Sequence, residues 1–369
     1  MRLPGLILAE LTVAATVVAG GGYGAVLGTR HLRAVLASHA VTGQAPAPHL
    51  AARRDLSNLP DPRVALEASG TFMGMSDELL LERVRTQPIV RFKVNHGGSS
   101  LSFRVEFADG SRAAWKPTQT NLQTIPRKEV AAYRLNRLLG MNAVPPAAPR
   151  VVARDELLNH LHPDSVQYLS RIQAETLFGP GGKAFGAASY WIPVIKDSGF
   201  DTSEGQRLAQ TWLSLGQPIP PDQQAIAAQL SNLVVFDFLT ANPDRKSGGN
   251  MKMSPDGKQL YFMDNTMSFF VDPDGKTKTR EALLRTQRFS KTTYAALDRI
   301  NVPTLEQILS EETGTPYEIL TPAEIDAVVA RRDVVRQYVA VLIKHFGQNA
   351  VLAFQGGAFT NLTHRRSLE

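Results

Sequence analysis

The sequence predicts an α+β protein of two lobes: a small antiparallel sheet with one helix, then a larger helical lobe. Three features carry this reading. Residues 88–117 alternate apolar and polar positions in short runs separated by Gly-containing turns. A single amphipathic helix follows from about Arg127. From residue 223 onward the chain is mostly apolar or well-capped helical sequence, interrupted by one short hairpin. A length of 369 residues accommodates both lobes with a sizeable core, and 43% apolar with 20% charged residues is the balance of a folded globular protein.

The N-terminus reads differently. Leu3 to Leu27 is almost entirely apolar or small, with Glu10 the one charge, which is long enough to span a bilayer as a helix. Gly20, Gly24 and Gly28 recur at every fourth position and would line one helix face. Residues 1–29 are therefore expected to be a membrane anchor or a signal segment, making the protein membrane-anchored or exported to a periplasmic or other extracytoplasmic space. Arg30 and Arg33 after the span compete with Arg2 before it, so its orientation stays open. Residues 30–65, rich in Pro and Ala, read as a linker. The folded domain is expected over 66–369, with the small lobe at about 88–195 and the helical lobe at about 223–350.

Within that domain Ser76 is the expected N-cap of a helix over Asp77 to Thr86. Pro88 to Val94 reads as a strand, His96 to Ser100 as a turn, and Leu101 to Phe107 as a strictly alternating strand. Asp109-Gly110 is a hairpin signal, and Arg112 to Lys116 a third strand stopped by Pro117. A helix from Arg127 to Leu139 ends at Gly140. Further strands are expected at Arg150 to Ala153 and Ala187 to Ile195, and a loop with one short helix over Asp197 to Asp222. Residues 223–240 read as an apolar helix. Met251 to Met253 and Gln259 to Met263 form a hairpin turning at Ser254 to Gly257. Pro322 to Phe346 is a helix capped by Thr321.

Composition excludes several chemistries. The net charge of +6 is scattered without a dense basic block, so no nucleic-acid partner is expected. The chain has no cysteine, which rules out disulfides, Cys-ligated zinc and a thiol nucleophile. It has neither a Gly-x-Ser-x-Gly elbow nor a complete Walker-type Gly-x-x-x-x-Gly-Lys-Ser/Thr sequence. His160 and His162 share a His-x-His spacing but read as a solvated helix end rather than a metal site.

What remains is an ordered set of polar residues. Gly97, Gly98 and Ser99 form a turn whose backbone N–H groups can approach phosphate oxygens, and Lys116 ends a strand one hairpin later. Glu129 lies in the first turns of the next helix, where it can orient Lys116 or share a metal. Asp244 and Asp264 flank the short hairpin at one end, which suits phosphoryl transfer to a hydroxyl: one carboxylate near the attacking oxygen, another on a divalent metal. Asn250 can supply a second metal ligand. Arg245 is expected to hold the loop through a buried ion pair, and Asn242 to brace its backbone. Gly179 to Lys183 reads as a hairpin tip, and Tyr190, Trp191 and Ile192 either as an adenine pocket or as ordinary core. The order Gly turn, Lys, helix Glu, Asp, Asn, Asp is that of a protein-kinase-like fold, without the His-Arg-Asp and Asp-Phe-Gly sequences of ordinary eukaryotic-type kinases.

Three stretches resemble the secretory-pathway kinases that include the Golgi casein kinase and the glycosaminoglycan xylosylkinase. They are His96-Gly97-Gly98-Ser99 with Ala114-Trp115-Lys116-Pro117; Lys128 to Leu139 followed by Val144-Pro145-Pro146; and Val235 to Leu239 with Asn242-Pro243-Asp244-Arg245 and Asp264-Asn265. The resemblance covers about 95–270. It implies ATP with Mn²⁺ or Mg²⁺, Asp244 as the catalytic carboxylate, Asp264 on the metal, and Lys116 and Glu129 organising phosphate and metal. The acceptor it implies is a hydroxyl of a protein Ser/Thr or a glycan. The Asn-x-Asp-Arg sequence also occurs in phosphoinositide-type kinases, so a lipid or small-molecule acceptor is an alternative, as is a nucleotide-binding pseudokinase. The chain departs from the family in three ways: it lacks the disulfides of animal members, Thr266 replaces a small Gly, and Lys246-Ser-Gly-Gly249 replaces a His-rich run.

Overall fold

The computed structural model describes residues 71–355 other than Gly97 and Gly248. The expected membrane segment at 1–29 and linker at 30–65 lie outside the described residues. Among the described residues no helix is long and apolar enough to cross a membrane. The longest, Pro322–Phe346, carries Arg331, Arg332, Asp333 and Arg336 in its middle. This corrects the expectation of a membrane-anchored or exported protein with a membrane partner: no described helix supports it.

Strands β1 (Thr71–Phe72) and β2 (Met75–Ser76) pair as a small antiparallel ribbon that leads into α1 (Asp77–Thr86). Ser76 caps α1 as expected, its Oγ accepting from the Leu79 N–H at 3.2 Å. The main sheet contains β3 (Ile89–Val94), β4 (Phe103–Phe107), β5 (Arg112–Pro117), β6 (Ala147–Ala153) and β7 (Lys183–Tyr190). All neighbours are antiparallel, in the order β3-β4-β5-β7-β6. Alternation along β4 buries Phe103, Val105 and Phe107 on one face. Trp115 of β5 joins them, its ring centroid 5.8 Å from Phe92 and 5.5 Å from Phe103. Helix α2 (Arg127–Leu138) packs against β6 and β7, burying Val130, Leu135 and Leu138. Helices α3 (Arg154–Asn159) and α4 (Leu169–Glu175) connect β6 to β7.

Strand bounds differ most from the sequence reading in two places. β6 starts at Ala147 rather than Arg150 and includes Pro149, which an edge strand tolerates because no ladder hydrogen bond is lost. β7 starts at Lys183 and stops at Tyr190, short of Ile195; Pro193 cannot continue a ladder. Gly179 to Gly182 is the turn before it. Gly186 is required in β7: a Cβ there would lie 2.3 Å from the Lys116 carbonyl oxygen and 2.8 Å from Trp115 Nε1.

The larger lobe comprises α5 (Ser203–Trp212), α6 (Gln224–Thr240), α7 (Thr277–Arg285), α8 (Lys291–Ala296), α9 (Val302–Ser310), α10 (Pro322–Phe346) and α11 (Gln348–Val351). Strands β8 (Lys196–Asp197), β9 (Met251–Met253) and β10 (Leu260–Phe262) make a small antiparallel sheet beside α6. α6 is buried nearly throughout, which explains why its sequence is apolar all round. It ends on Ala241 in the left-handed region, φ 51°. Thr321 and Glu324 form a capping box on α10. Glu324 also accepts from Arg127 at 2.7 and 2.9 Å, which ties the start of α2 to the larger lobe.

Candidate active site

The register of the sheet brings two distant segments to one end. Val94 pairs with Phe103, and Phe103 with Trp115, so the turn after β3 and the end of β5 share an edge of the sheet. Trp115 points into the core, so strand alternation turns Lys116 to the opposite face. There Glu129, in the first turn of α2, meets it: Lys116 Nζ lies 3.0 Å from Glu129 Oε1. The same amine lies 2.6 Å from Asp264 Oδ1, just after β10 in the other lobe. Burial would depress the Lys116 pKa, but the carboxylates of Asp264 and Glu129 outweigh it and hold the amine above its ordinary value. Burial works against ionised Asp264 as well, yet the Lys116 cation and the Thr266 hydroxyl hold its carboxyl below the usual range.

Gln119 fixes the turn to this edge. Its Oε1 accepts from Leu101 N at 2.8 Å, and its Nε2 donates to the carbonyls of Leu101 at 2.9 Å and Pro117 at 3.1 Å. Sequence reasoning missed it, because an isolated Gln beyond a strand carries no motif. Of the expected phosphate-turn residues, Gly97 lies outside the described residues. Gly98 and Ser99 are exposed, and the Ser99 carbonyl accepts from Arg171 at 3.1 Å.

Glu129 uses both oxygens on protein. Its Oε2 accepts from the Asn265 N–H at 3.0 Å, so the helix glutamate fixes Lys116 and the Asp264-Asn265 segment together. Asn265 is fully buried, and its Oδ1 accepts from Arg245 Nη2 at 2.5 Å and Asn242 Nδ2 at 3.4 Å. Arg245 makes the expected buried ion pair, with Asp237 of α6 at 3.1 and 3.2 Å, and also donates to the carbonyls of Asn250, at 3.1 Å, and Met263. One guanidinium thus joins α6, the loop after it and both ends of the hairpin. A lone acid inside Val235-Phe-Asp-Phe-Leu239 was the available signal for its partner. Burial pushes the Asp237 carboxyl up to about 6, with Arg245 opposing.

Asp264 sits in the left-handed region at φ 49°, uncommon for a residue with a Cβ. The Thr266 hydroxyl donates to its Oδ1 at 2.8 Å, so this departure from a small Gly supplies a donor to the aspartate. Asp244 is held differently. Its N–H donates to Asn242 Oδ1 at 3.0 Å, the bracing role expected of Asn242. Its carboxylate accepts from the Ser247 hydroxyl and from Asn250 Nδ2, the latter at 3.1 Å.

Asn250 thus has its amide nitrogen on Asp244, which leaves its oxygen as the atom free to ligate. Asp264 and Asn250 offer oxygen donors of the kind hard divalent cations take, whereas both Glu129 oxygens are engaged. No group of three or more His, Cys, Asp or Glu residues placed to hold a metal occurs among the described residues, so a cation here would need ligands from phosphate or water as well. Tyr190 and Ile192 are buried, the Tyr190 ring 6.3 Å from Phe72; Trp191 lies beside Arg104. His162 caps the turn at Pro163 by accepting from Asp164 N at 3.1 Å. A cavity of about 670 Å³ lies elsewhere, behind the 242–246 loop, bordered by Asn242, Pro243, Arg245 and Lys246 but not by Lys116, Glu129 or Asp264.

No family model matches the sequence, and no curated protein matches it. Solved structures do match the fold. The Golgi casein kinase with Mn/ADP bound superposes with a TM-score of 0.59 at 15% identity, over 76% of this chain and 80% of that one. A second structure of the Golgi casein kinase gives 0.57 at 16%, over 75% and 78%. The hydra Fam20 structure with sugar gives 0.56 at 17%, over 79% of this chain and 98% of that one. The chain therefore has the two-lobed, kinase-like α+β fold that its sequence predicts.

Proposed function

We propose that the chain is an ATP-dependent kinase that transfers the γ-phosphoryl group to a hydroxyl of a protein or glycan. The observation that carries this reading is the Lys116 amine clasped between Glu129 of the small lobe and Asp264 of the larger one, with Asp244 on a separately braced loop. The fold shared with the Golgi casein kinase, one structure of which holds Mn and ADP, supports it.

Asp264 and Asn250 would hold Mn²⁺ or Mg²⁺, which supplies charge neutralisation to the phosphates when bound. Lys116 faces phosphate oxygens as a fixed cation, and Glu129 keeps it there. The turn containing Gly97, Gly98 and Ser99 offers backbone N–H groups to the same phosphates. Asp244 takes the proton of the acceptor hydroxyl as its oxygen attacks the γ-phosphorus. The bond from that phosphorus to the bridging oxygen breaks, and ADP leaves.

The test is transfer of radiolabel from γ-labelled ATP, with Mn²⁺ or Mg²⁺, to protein and glycan acceptors, alongside Asp264→Ala. Labelling by the parent and its loss in the variant are expected. Equal labelling by both, or a parent that binds no nucleotide, sinks the reading; nucleotide binding without transfer makes the chain a pseudokinase.

A further inference from the structure

The cavity behind the 242–246 loop is not used by this chemistry. Its volume of about 670 Å³ falls in the range of small-molecule sites, roughly 300–1,000 Å³. It lies among α5, α6 and α7, and its lining divides by chemistry. Leu213, Leu230 and Leu233 are buried and form an apolar floor, with Val234 and Met251 beside them. Arg207, Lys246, Lys278 and Arg285 line it from exposed positions.

Those cations are poorly balanced. Of the acids lining the cavity, Asp237 is committed to Arg245, and Glu281 lies 3.9 Å from Arg285 on the same helix. Lys246 Nζ donates to a neutral group, Gln206 Oε1, at 3.2 Å. Among the described residues Lys278 and Arg207 have no ion pair. Although the Lys246 side chain reaches solvent, the surrounding wall partly desolvates its amine and lowers its pKa; Asp237 opposes that, and the like charges of Arg285 and Lys278 lower it further. Like charges gathered at the mouth of an apolar cavity repel one another unless an anion sits among them.

We propose that this cavity binds an amphipathic anion, its phosphate or carboxylate head among Lys246, Lys278 and Arg285 and its hydrocarbon body against Leu213, Leu230 and Leu233. The site needs no phosphoryl transfer and stands apart from the kinase reading. Head and body act together. The cations alone would bind inorganic phosphate weakly, and the floor alone would not discriminate charge.

The experiment is calorimetric titration of the full chain with dodecyl phosphate below its micelle concentration. Inorganic phosphate and dodecyl maltoside are the comparison ligands. Saturable binding of dodecyl phosphate is expected, at least about tenfold tighter than either comparison ligand. The Lys278→Glu/Arg285→Glu double variant, altered only at exposed positions, should weaken it at least about tenfold. Ala282→Phe, which adds bulk at the lining, should weaken it while leaving the melting temperature unchanged. Equal binding of either comparison ligand, binding indifferent to the charge reversal, or no binding overturns the proposal. Phosphatidic acid vesicles separate a soluble amphiphile from a bilayer lipid, and binding to vesicles alone also overturns it.

Discussion

The acids on either side of the short hairpin, Asp244 and Asp264, meet opposite kinds of partner. Asp264 touches a buried cation, Lys116, and is held in a left-handed backbone conformation with a hydroxyl donating to it. Among the described residues the Asp244 carboxylate accepts from neutral groups, the Ser247 hydroxyl and the Asn250 amide. A carboxylate clamped to a cation stays ionised and is suited to holding charge. One held by neutral donors is free of a permanent counter-ion and is suited to receiving a proton. The hairpin makes this division possible, because Arg245 fastens both of its ends to α6 and leaves the flanking aspartates to different neighbours.

Neutralising each acid in turn is the sharpest way to break that contrast. Asp264→Asn should lower phosphoryl transfer on the order of 10³-fold and weaken nucleotide binding in the presence of metal, because the proposed cation loses its charged protein ligand and Lys116 one of the carboxylates that fix it. Asp244→Asn should lower transfer on the order of 10²-fold and leave nucleotide affinity unchanged. Single-turnover transfer and equilibrium nucleotide binding, measured on both variants, separate the roles. Identical effects on both measurements would mean that the different partners do not signify different functions.

Much of this arrangement is legible from local sequence. Lys116 is placed by strand alternation, Glu129 by its position in the first turn of an amphipathic helix, and Asp244, Asn250 and Asp264 by a hairpin whose turn is written in Pro255-Asp-Gly257. Each of those signals spans only a few residues. The contact of Lys116 with Asp264 joins the lobes and has no local period or motif behind it, so it appears only in the folded chain. Asn265 stands in the same gap. It follows Asp264 in sequence, but its buried contacts come from two separate elements, Glu129 of α2 and the loop carrying Asn242 and Arg245. The large cavity was illegible for the same reason, since α5, α6 and α7 each read as ordinary helices.

A smaller effect comes from beneath the loop. The Asp237 carboxyl, raised by burial to about 6 from an ordinary 3.8, binds its proton more tightly in the folded state than in the unfolded chain. Its contribution to stability is therefore full below the unfolded value and lost as pH rises through about 6. Urea unfolding of the parent and Asp237→Asn, compared from about pH 4.5 to about 7, should show the parent's relative stability falling with pH and then levelling off. A difference that stays flat across the range would place the Asp237 proton equilibrium outside the folding balance, leaving Arg245 to brace the loop without a titrating partner.

The smallest effect tests the small lobe alone. Gln119 satisfies both backbone groups of Leu101 and the Pro117 carbonyl, so its side chain sets the distance between the turn and the strand that carries Lys116. Gln119→Ala leaves the Leu101 N–H and carbonyl without that partner, at a cost of about 1–3 kcal/mol if they stay buried. A turn released from the strand should bind nucleotide several-fold more weakly. The transfer rate at saturating nucleotide should hardly change, since Lys116 keeps Glu129 and Asp264 and Asp244 keeps Asn250. Gln119→Glu retains the acceptor for Leu101 N but loses the donated bonds, and should fall between parent and alanine variant. A fall in the saturated rate as large as that of Asp244→Asn would mean that the turn positions the reacting groups themselves, and the division of labour would then extend beyond the hairpin.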